Sequence, residues 1–283
     1  MALTDMSATE VAGLLARGET TTAELLDAAA ARIAELDGAV NALPTLRLDR
    51  ARARPSTAAP LHGLPIAIKD LTAVAGVRTT LGSPIHADDV PERSDHVAER
   101  IEARGGVIYA KSNTPEFGAG ANTVNRVFGA TRNPWDLSKS AAGSSGGAAA
   151  ALRTGTAWLA QGSDLGGSLR NPASFCGVVG LRPAPGRAPS GPGPDPFDTL
   201  SVEGPMARTV GDVALFLDAL AGPDPREPLA LAAPERPYRD WAAEARPPRR
   251  VAFSRDLGIT PVDPEIAALC EAAARRFESL GVA

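Results

Sequence analysis

With 283 residues, 44% hydrophobic and 22% charged, the chain has the composition of a folded protein large enough to bury an extensive core, which excludes disorder. A formal net charge of −4, with no local run of Lys and Arg to offset it, disfavours nucleic acid as a ligand, and no apolar stretch approaches membrane-spanning length. Cys176 and Cys270 lie too far apart in sequence for a metal-spaced pair or a disulfide framework, and the first 22 residues lack an export signal's basic start and apolar core, so a soluble cytoplasmic protein is expected.

From Ser7 to Leu36, Val11, Leu14, Leu15, Leu25, Leu26, Ile33 and Leu36 recur at helical spacing, and Thr20 to Thr22 offer a hydroxyl cap to the second of two amphipathic helices. The basic, Pro-containing stretch Arg50 to Pro60 reads as a loop. It leads into Leu64-Pro65-Ile66-Ala67-Ile68, a buried strand that ends at Lys69. Ser94 to Arg104 is predicted to be a helix capped by Ser94, and Val107 to Ala110 the next strand. Gly186 to Pro196 is a Pro/Gly loop, Thr209 to Leu220 a helix, and Gly222 to Arg249 a surface excursion before a strand at Arg250-Val251-Ala252-Phe253. A last helix is capped by Asp263, with Pro264 in its first turn, and runs to Leu280. The alternation predicts an α/β fold with a mixed, largely parallel central sheet flanked by helices.

Chemistry concentrates in the middle of the chain. Two glycine-bracketed serine clusters stand there, Ala142-Gly143-Ser144-Ser145-Gly146-Gly147 and Ser163-Asp164-Leu165-Gly166-Gly167-Ser168-Leu169-Arg170. Glycines around a reactive hydroxyl allow a sharp turn and bring amide N–H groups close to a substrate oxygen. Cleaving an amide needs a nucleophile, a base, an acid for the leaving amine and donors for the oxyanion. The chain has three histidines, His62, His86 and His96, and no Gly-x-Ser-x-Gly elbow, so lysine is the alternative base. Lys69, at the end of an apolar strand, can be desolvated enough to lose its proton near neutrality. The competing reading is a strand-end lysine in a salt bridge, with the adjacent Asp70 holding its charge on. Cys176 reads as a buried packing residue, having no flanking basic residue to activate it. Asp88, Asp89 and Asp95 near His86 and His96 have no fixed ligand spacing and read as solvated loop and helix start.

Gly63-Leu64-Pro65-Ile66-Ala67-Ile68-Lys69-Asp70, Ala142 to Gly147, Gly162 to Pro172 and Cys176 to Pro183 together resemble the motifs of the amidase signature family, in order. The spacing resembles the family's as well, with Ser144 lying 75 residues after Lys69 and Ser168 another 24 further on. The resemblance implies a Ser-Ser-Lys triad: Ser168 as nucleophile, and Ser144, on a cis peptide bond, relaying protons between Ser168 and Lys69. Ser145 could equally be drawn into the relay from sequence alone; the family pattern picks Ser144. Consecutive N–H groups in a glycine turn can converge on one oxygen, so the amides of Leu165, Gly166, Gly167 and Ser168 read as an oxyanion hole, and Asp164 with Arg170 as a brace that holds Ser168 in place; the resemblance adds a pocket wall from Phe117, Gly118 and Asn122. No metal or other cofactor is called for. The expected activity is hydrolysis of a small linear or cyclic amide through an acyl-enzyme; the alternatives are the glutamine-hydrolysing subunit of a tRNA-dependent amidotransferase and a non-catalytic scaffold. The expected layout is one amidase domain, with a helical segment at 1–48, a catalytic core at 60–220 and a C-terminal portion at 250–283 lacking the rest of the family's fold. A homodimer is a further expectation.

Overall fold

The computed structural model describes residues 2–53, 60–193, 195–244 and 246–282. It divides into two units, Met1–Ala242 and Ala243–Ala283. In the larger unit, helices α1 (Ala8–Arg17) and α2 (Thr22–Val40) each begin with a capping box, Ser7 with Glu10 and Thr21 with Glu24. The short strand β1 (Thr45–Leu46) follows, and then a single-turn helix α3 (Leu48–Arg52) where the sequence suggests loop; residues 54–59 of that predicted loop lie outside the described residues.

Strands β2 (Pro65–Lys69) and β3 (Val107–Ser112) are buried at every position, so both faces of the sheet are covered. Helix α4 (His96–Ala103) joins them. Its cap is not the predicted one: Ser94 Oγ accepts from the Ala75 amide and Asp95 from the Ala73 amide, so both side chains tie down the preceding loop. Two small hairpins follow, β4 (Val124–Asn125) with β5 (Gly129–Ala130) and β6 (Arg132–Asn133) with β7 (Asp136–Ser140).

Helix α5 (Gly146–Thr154) is buried from Gly146 to Leu152. Its small side chains make that close approach possible: a Cβ on Gly146 would strike Thr123, and one on Gly147 the Asn113 backbone. Strand β8 (Leu159–Asp164), helix α6 (Arg170–Cys176), strand β9 (Val179–Gly180), strand β10 (Val202–Ala207) and helix α7 (Val210–Leu220) complete the layer, and Thr209 caps α7. Asp212 on α7 accepts from the amide and the hydroxyl of Thr9, both at 2.8 Å, which fastens α1 to it.

The sheet order is β1-β3-β2-β8-β10-β9. β3, β2 and β8 are parallel neighbours; β1 and β10 run against them, and β9 runs against β10. Four of the six strands therefore point one way. Lys69 and Asp164 end β2 and β8, and the register sets Lys69 beside Ser112, Asp164 opposite Val202 and Ser163 opposite Glu203. The carboxyl ends of the parallel strands thus bring the chemistry-bearing residues together, where open α/β sheets commonly place their sites.

Helix α8 (Tyr238–Glu244) spans the division between the units. In the smaller unit, α9 (Pro264–Arg275) starts as the sequence predicts, with Asp263 accepting from Glu265 N, and a 3-10 turn over Glu278–Leu280 follows it. Arg250 to Phe253 does not form the predicted strand. Among the described residues no neighbouring strand offers it a ladder; Val251 and Phe253 instead line a 220 Å³ cavity with Ala274, Phe277 and Val282. Among the described residues, no helix is long and apolar enough to cross a membrane.

Candidate active site

Lys69 is fully buried at the end of β2. Its Nζ donates to Ser144 Oγ at 2.6 Å and to Ser163 Oγ at 3.1 Å. Burial lowers its pKa from the ordinary 10.5 to about 8, against the opposing pull of the Glu203 and Asp164 carboxylates. Asp70 turns away from it. That carboxylate lies 3.5 Å from Lys111 Nζ and accepts from Thr80 Oγ1 at 2.5 Å, while Lys111 also donates to Thr79 Oγ1 at 2.9 Å. The pairing that would have kept Lys69 charged belongs to a second buried lysine.

Ser144 reaches Lys69 from a tight turn. The Gly143–Ser144 peptide bond is cis and Ala142 has φ +56°. A Cβ on Gly143 would sit 3.1 Å from the Asn122 carbonyl carbon, so a side chain there meets backbone. Ser145 is committed elsewhere: its hydroxyl donates to Ser163 O at 3.3 Å and its amide to Ser168 O at 3.2 Å. Of the two adjacent serines, the first faces the lysine.

Ser168 is half-buried and follows Gly167, whose φ is +115°. Among the described residues its Oγ makes no hydrogen bond, to Ser144 or to anything else; the Ser145 amide on its carbonyl links the two clusters. Catalytic hydrogen bonds commonly tighten when substrate is bound. Asp164 organises this loop. Its carboxylate accepts from the Gly167 amide at 2.8 Å, from the Leu169 amide at 3.1 Å and from Arg170 through Nε and Nη2, both at 3.0 Å. Burial would raise this carboxyl, but Arg170 and the two amides hold it well below the usual range. Arg182 donates to the carbonyl and carboxylate of Asp164 and, at 2.9 Å, to Leu200 O. The Gly167 N–H is therefore occupied, whereas those of Leu165, Gly166 and Ser168 have no acceptor among the described residues.

The other expected wall residues gather nearby. Phe117 is half exposed with φ +51°, a Cβ on Gly118 would lie 3.7 Å from Ser144 Oγ, and the Asn122 backbone packs on Gly143 while its Oδ1 accepts from Ser140 Oγ at 2.6 Å. Cys176 is buried, its thiol pushed up to about 12 by burial, and both cysteines are free. His86 pairs with Asp89 at 2.6 Å and His96 with Glu227 at 2.7 Å. Sequence reasoning missed Ser163, Gln161, Glu203 and Arg182. Alternation along β8 carries a signal for Ser163, which shares a face with Gln161; Glu203 arrives through strand register and has no local signal.

The amidase family profile matches residues 21–283. An acylamidase from Rhodococcus erythropolis is 40% identical over 286 residues, covering 98% of this chain and 60% of the relative. A glutamyl-tRNA(Gln) amidotransferase subunit from Moorella thermoacetica is also 40% identical, over 292 residues, covering 99% of this chain and 60% of that protein. Among solved structures, 6-aminohexanoate cyclic dimer hydrolase complexed with substrate superposes with a TM-score of 0.90 at 34% identity, covering 98% of this chain and 59% of that one. The chain thus spans about 60% of the length of the proteins it matches.

Proposed function

Because the chain belongs to the amidase signature family, we propose that it hydrolyses the C–N bond of a small linear or cyclic carboxylic amide through an acyl-enzyme on Ser168. The observation that carries this reading is the buried Lys69 Nζ at 2.6 Å from Ser144 Oγ. As Ser168 Oγ attacks the carbonyl carbon, its proton passes to Ser144, whose own proton goes to the neutral Lys69 amine. The unoccupied amides of Leu165, Gly166 and Ser168 are the donors for the resulting oxyanion, and Gly167 serves the Asp164 brace. When the tetrahedral adduct collapses, the C–N bond breaks and the proton returns through Ser144 to the departing amine. Water then attacks the ester by the same relay, releasing the acid. Phe117, Gly118 and Asn122 form one wall of the acyl pocket in this reading.

The net charge of −4 supports a reading without nucleic acid, and the two free thiols are compatible with a reducing compartment. A second reading, the glutamine-hydrolysing subunit of an amidotransferase, draws support from the Moorella relative's equal identity. Hydrolysis of a panel of aliphatic, aryl, peptide and glutamine amides tests both. Turnover of simple amides that vanishes in Ser168→Ala is expected; strict glutamine dependence would favour the second reading, and turnover that survives the substitution would remove Ser168 from the chemistry.

A further inference from the structure

Glu203 occupies a position that neither the glycine-serine clusters nor the Lys69–Ser144 contact accounts for. It lies opposite Ser163 in the β8–β10 ladder, and directly opposed residues share a face of a sheet. Ser163 Oγ accepts from Lys69 Nζ at 3.1 Å, so the glutamate stands on the lysine's side. Gln161, on that same face of β8, donates through Nε2 to Glu203 Oε2 while its Oε1 accepts from the Lys69 amide at 3.0 Å. One amide side chain therefore grips both strands. On its far side Glu203 forms part of the wall of a 390 Å³ pocket with Ser190, Gly191, Ser201 and His96.

We propose that Glu203 is a positioning residue for the hydrolysis, the counter-charge that Gln161 holds beside Lys69 and that sets the pH at which the lysine becomes a base. The inference rests on Lys69 being the base of the reaction proposed above. Burial raises the Glu203 carboxyl to about 7 while Lys69 pulls it back down, and burial takes Lys69 to about 8 while Glu203 holds it up. Such a pair titrates jointly.

Other charges face it as well. Asp164 also acts on Lys69, from the end of β8, but Arg170 and Arg182 neutralise it. Asp95 ahead of α4 raises Glu203, while Asp70 and Lys111 pair with each other. In the pocket wall, Glu227 is taken by His96 and by the Ser190 and Gly191 amides, Arg226 by Asp224 and Glu99, and Asp195 and Asp198 lie further along the loop. Of the two carboxylates acting on Lys69, Glu203 is the one without an arginine partner among the described residues, so its removal should be the change that the lysine feels.

The test is the pH dependence of Ser168 labelling by a fluorophosphonate, read by mass spectrometry on the whole chain. In Glu203→Gln the neighbouring anion is gone, the ammonium loses its proton more readily, and the acid limb of the labelling rate should fall by roughly one pH unit. Glu203→Asp, which keeps the charge, should leave the limb near its wild-type position. Glu203→Thr is a second neutral variant should the Gln protein not fold, and it should lower the limb likewise. A limb that stays put or rises in a folded neutral variant overturns this inference alone. A wild-type chain unlabelled at Ser168 at every pH overturns the reading of the site, and this inference with it.

Discussion

At the scale of single residues, everything turns on a lysine forced into a place where charge is expensive. With its pKa lowered to about 8, Lys69 is mostly protonated at neutrality, so turnover should climb with pH through about 8. The same burial has a consequence for stability. The unfolded chain holds this proton up to the ordinary 10.5 and the folded chain releases it near 8, so folding is opposed below 8 and stability rises as pH goes from 8 to 10.5. Melting temperatures across that window should rise in the wild type and rise less steeply in Lys69→Met, the remaining slope coming from Lys111, which burial also lowers to about 8; an unchanged slope would mean that Lys69 is not titrating. The paired serines give a second contrast. Ser144→Ala should lower turnover by roughly 10²–10⁴-fold, while Ser145→Ala, which loses a 3.3 Å bond to a carbonyl, should cost far less. Equal losses in steady-state rates would contradict the assignment. Lys69 and the two serine clusters were legible because they form contiguous motifs. The choice between Ser144 and Ser145 became a matter of geometry only when the turn was seen to aim one hydroxyl at the lysine and the other at Ser163.

At the scale of elements, the site depends on one small-residue helix and one braced loop. A methyl at position 147 would press on the Asn113 backbone, which cannot rotate aside as a side chain could. Gly147→Ala should therefore cost about 1–3 kcal/mol in chemical denaturation, and stability at the wild-type level would show that α5 can shift freely. Asp164 joins the Gly167 and Leu169 amides to Arg170 and Arg182, and Asp164→Asn strips the charge from all four contacts. A loss of roughly 3 kcal/mol is expected from breaking a buried, paired carboxylate, with slower Ser168 labelling. Helix starts such as Thr21, Thr209 and Asp263 were legible because capping is a local contest for an amide proton. The cap at Ser94 was not, because its hydroxyl is claimed by Ala75, nineteen residues away.

At the scale of the whole molecule, the larger unit leaves several big apolar side chains more than half exposed, among them Leu165, Phe175, Phe197 and Leu200. Where such side chains adjoin in one patch, that patch binds apolar partners or self-associates. Concentration-dependent sedimentation and binding of a hydrophobic dye are expected; a dye-silent, monodisperse monomer across the concentration range would contradict this. The alternation of helix and strand gave the fold class correctly, since periodicity follows from which faces must be buried. It failed at Arg250 to Phe253, where apolar residues lie along a helix instead of in a ladder, because a strand needs a neighbour and sequence does not say whether one is present.

By itself the sequence determined the parts with local causes: helix starts, the buried strands β2 and β3, and the glycine-serine motifs with Lys69 between apolar strand and loop. Only the tertiary structure decided which charges meet. Asp70 adjoins Lys69 in the chain yet serves Lys111, while Glu203, 134 residues away, comes to lie on its side of the sheet. The reason is physical: the chain turns as β2 ends at Lys69, carrying Asp70 to Thr80 and Lys111, and strand register, fixed by the packing of the whole sheet, selects which distant side chains share a face.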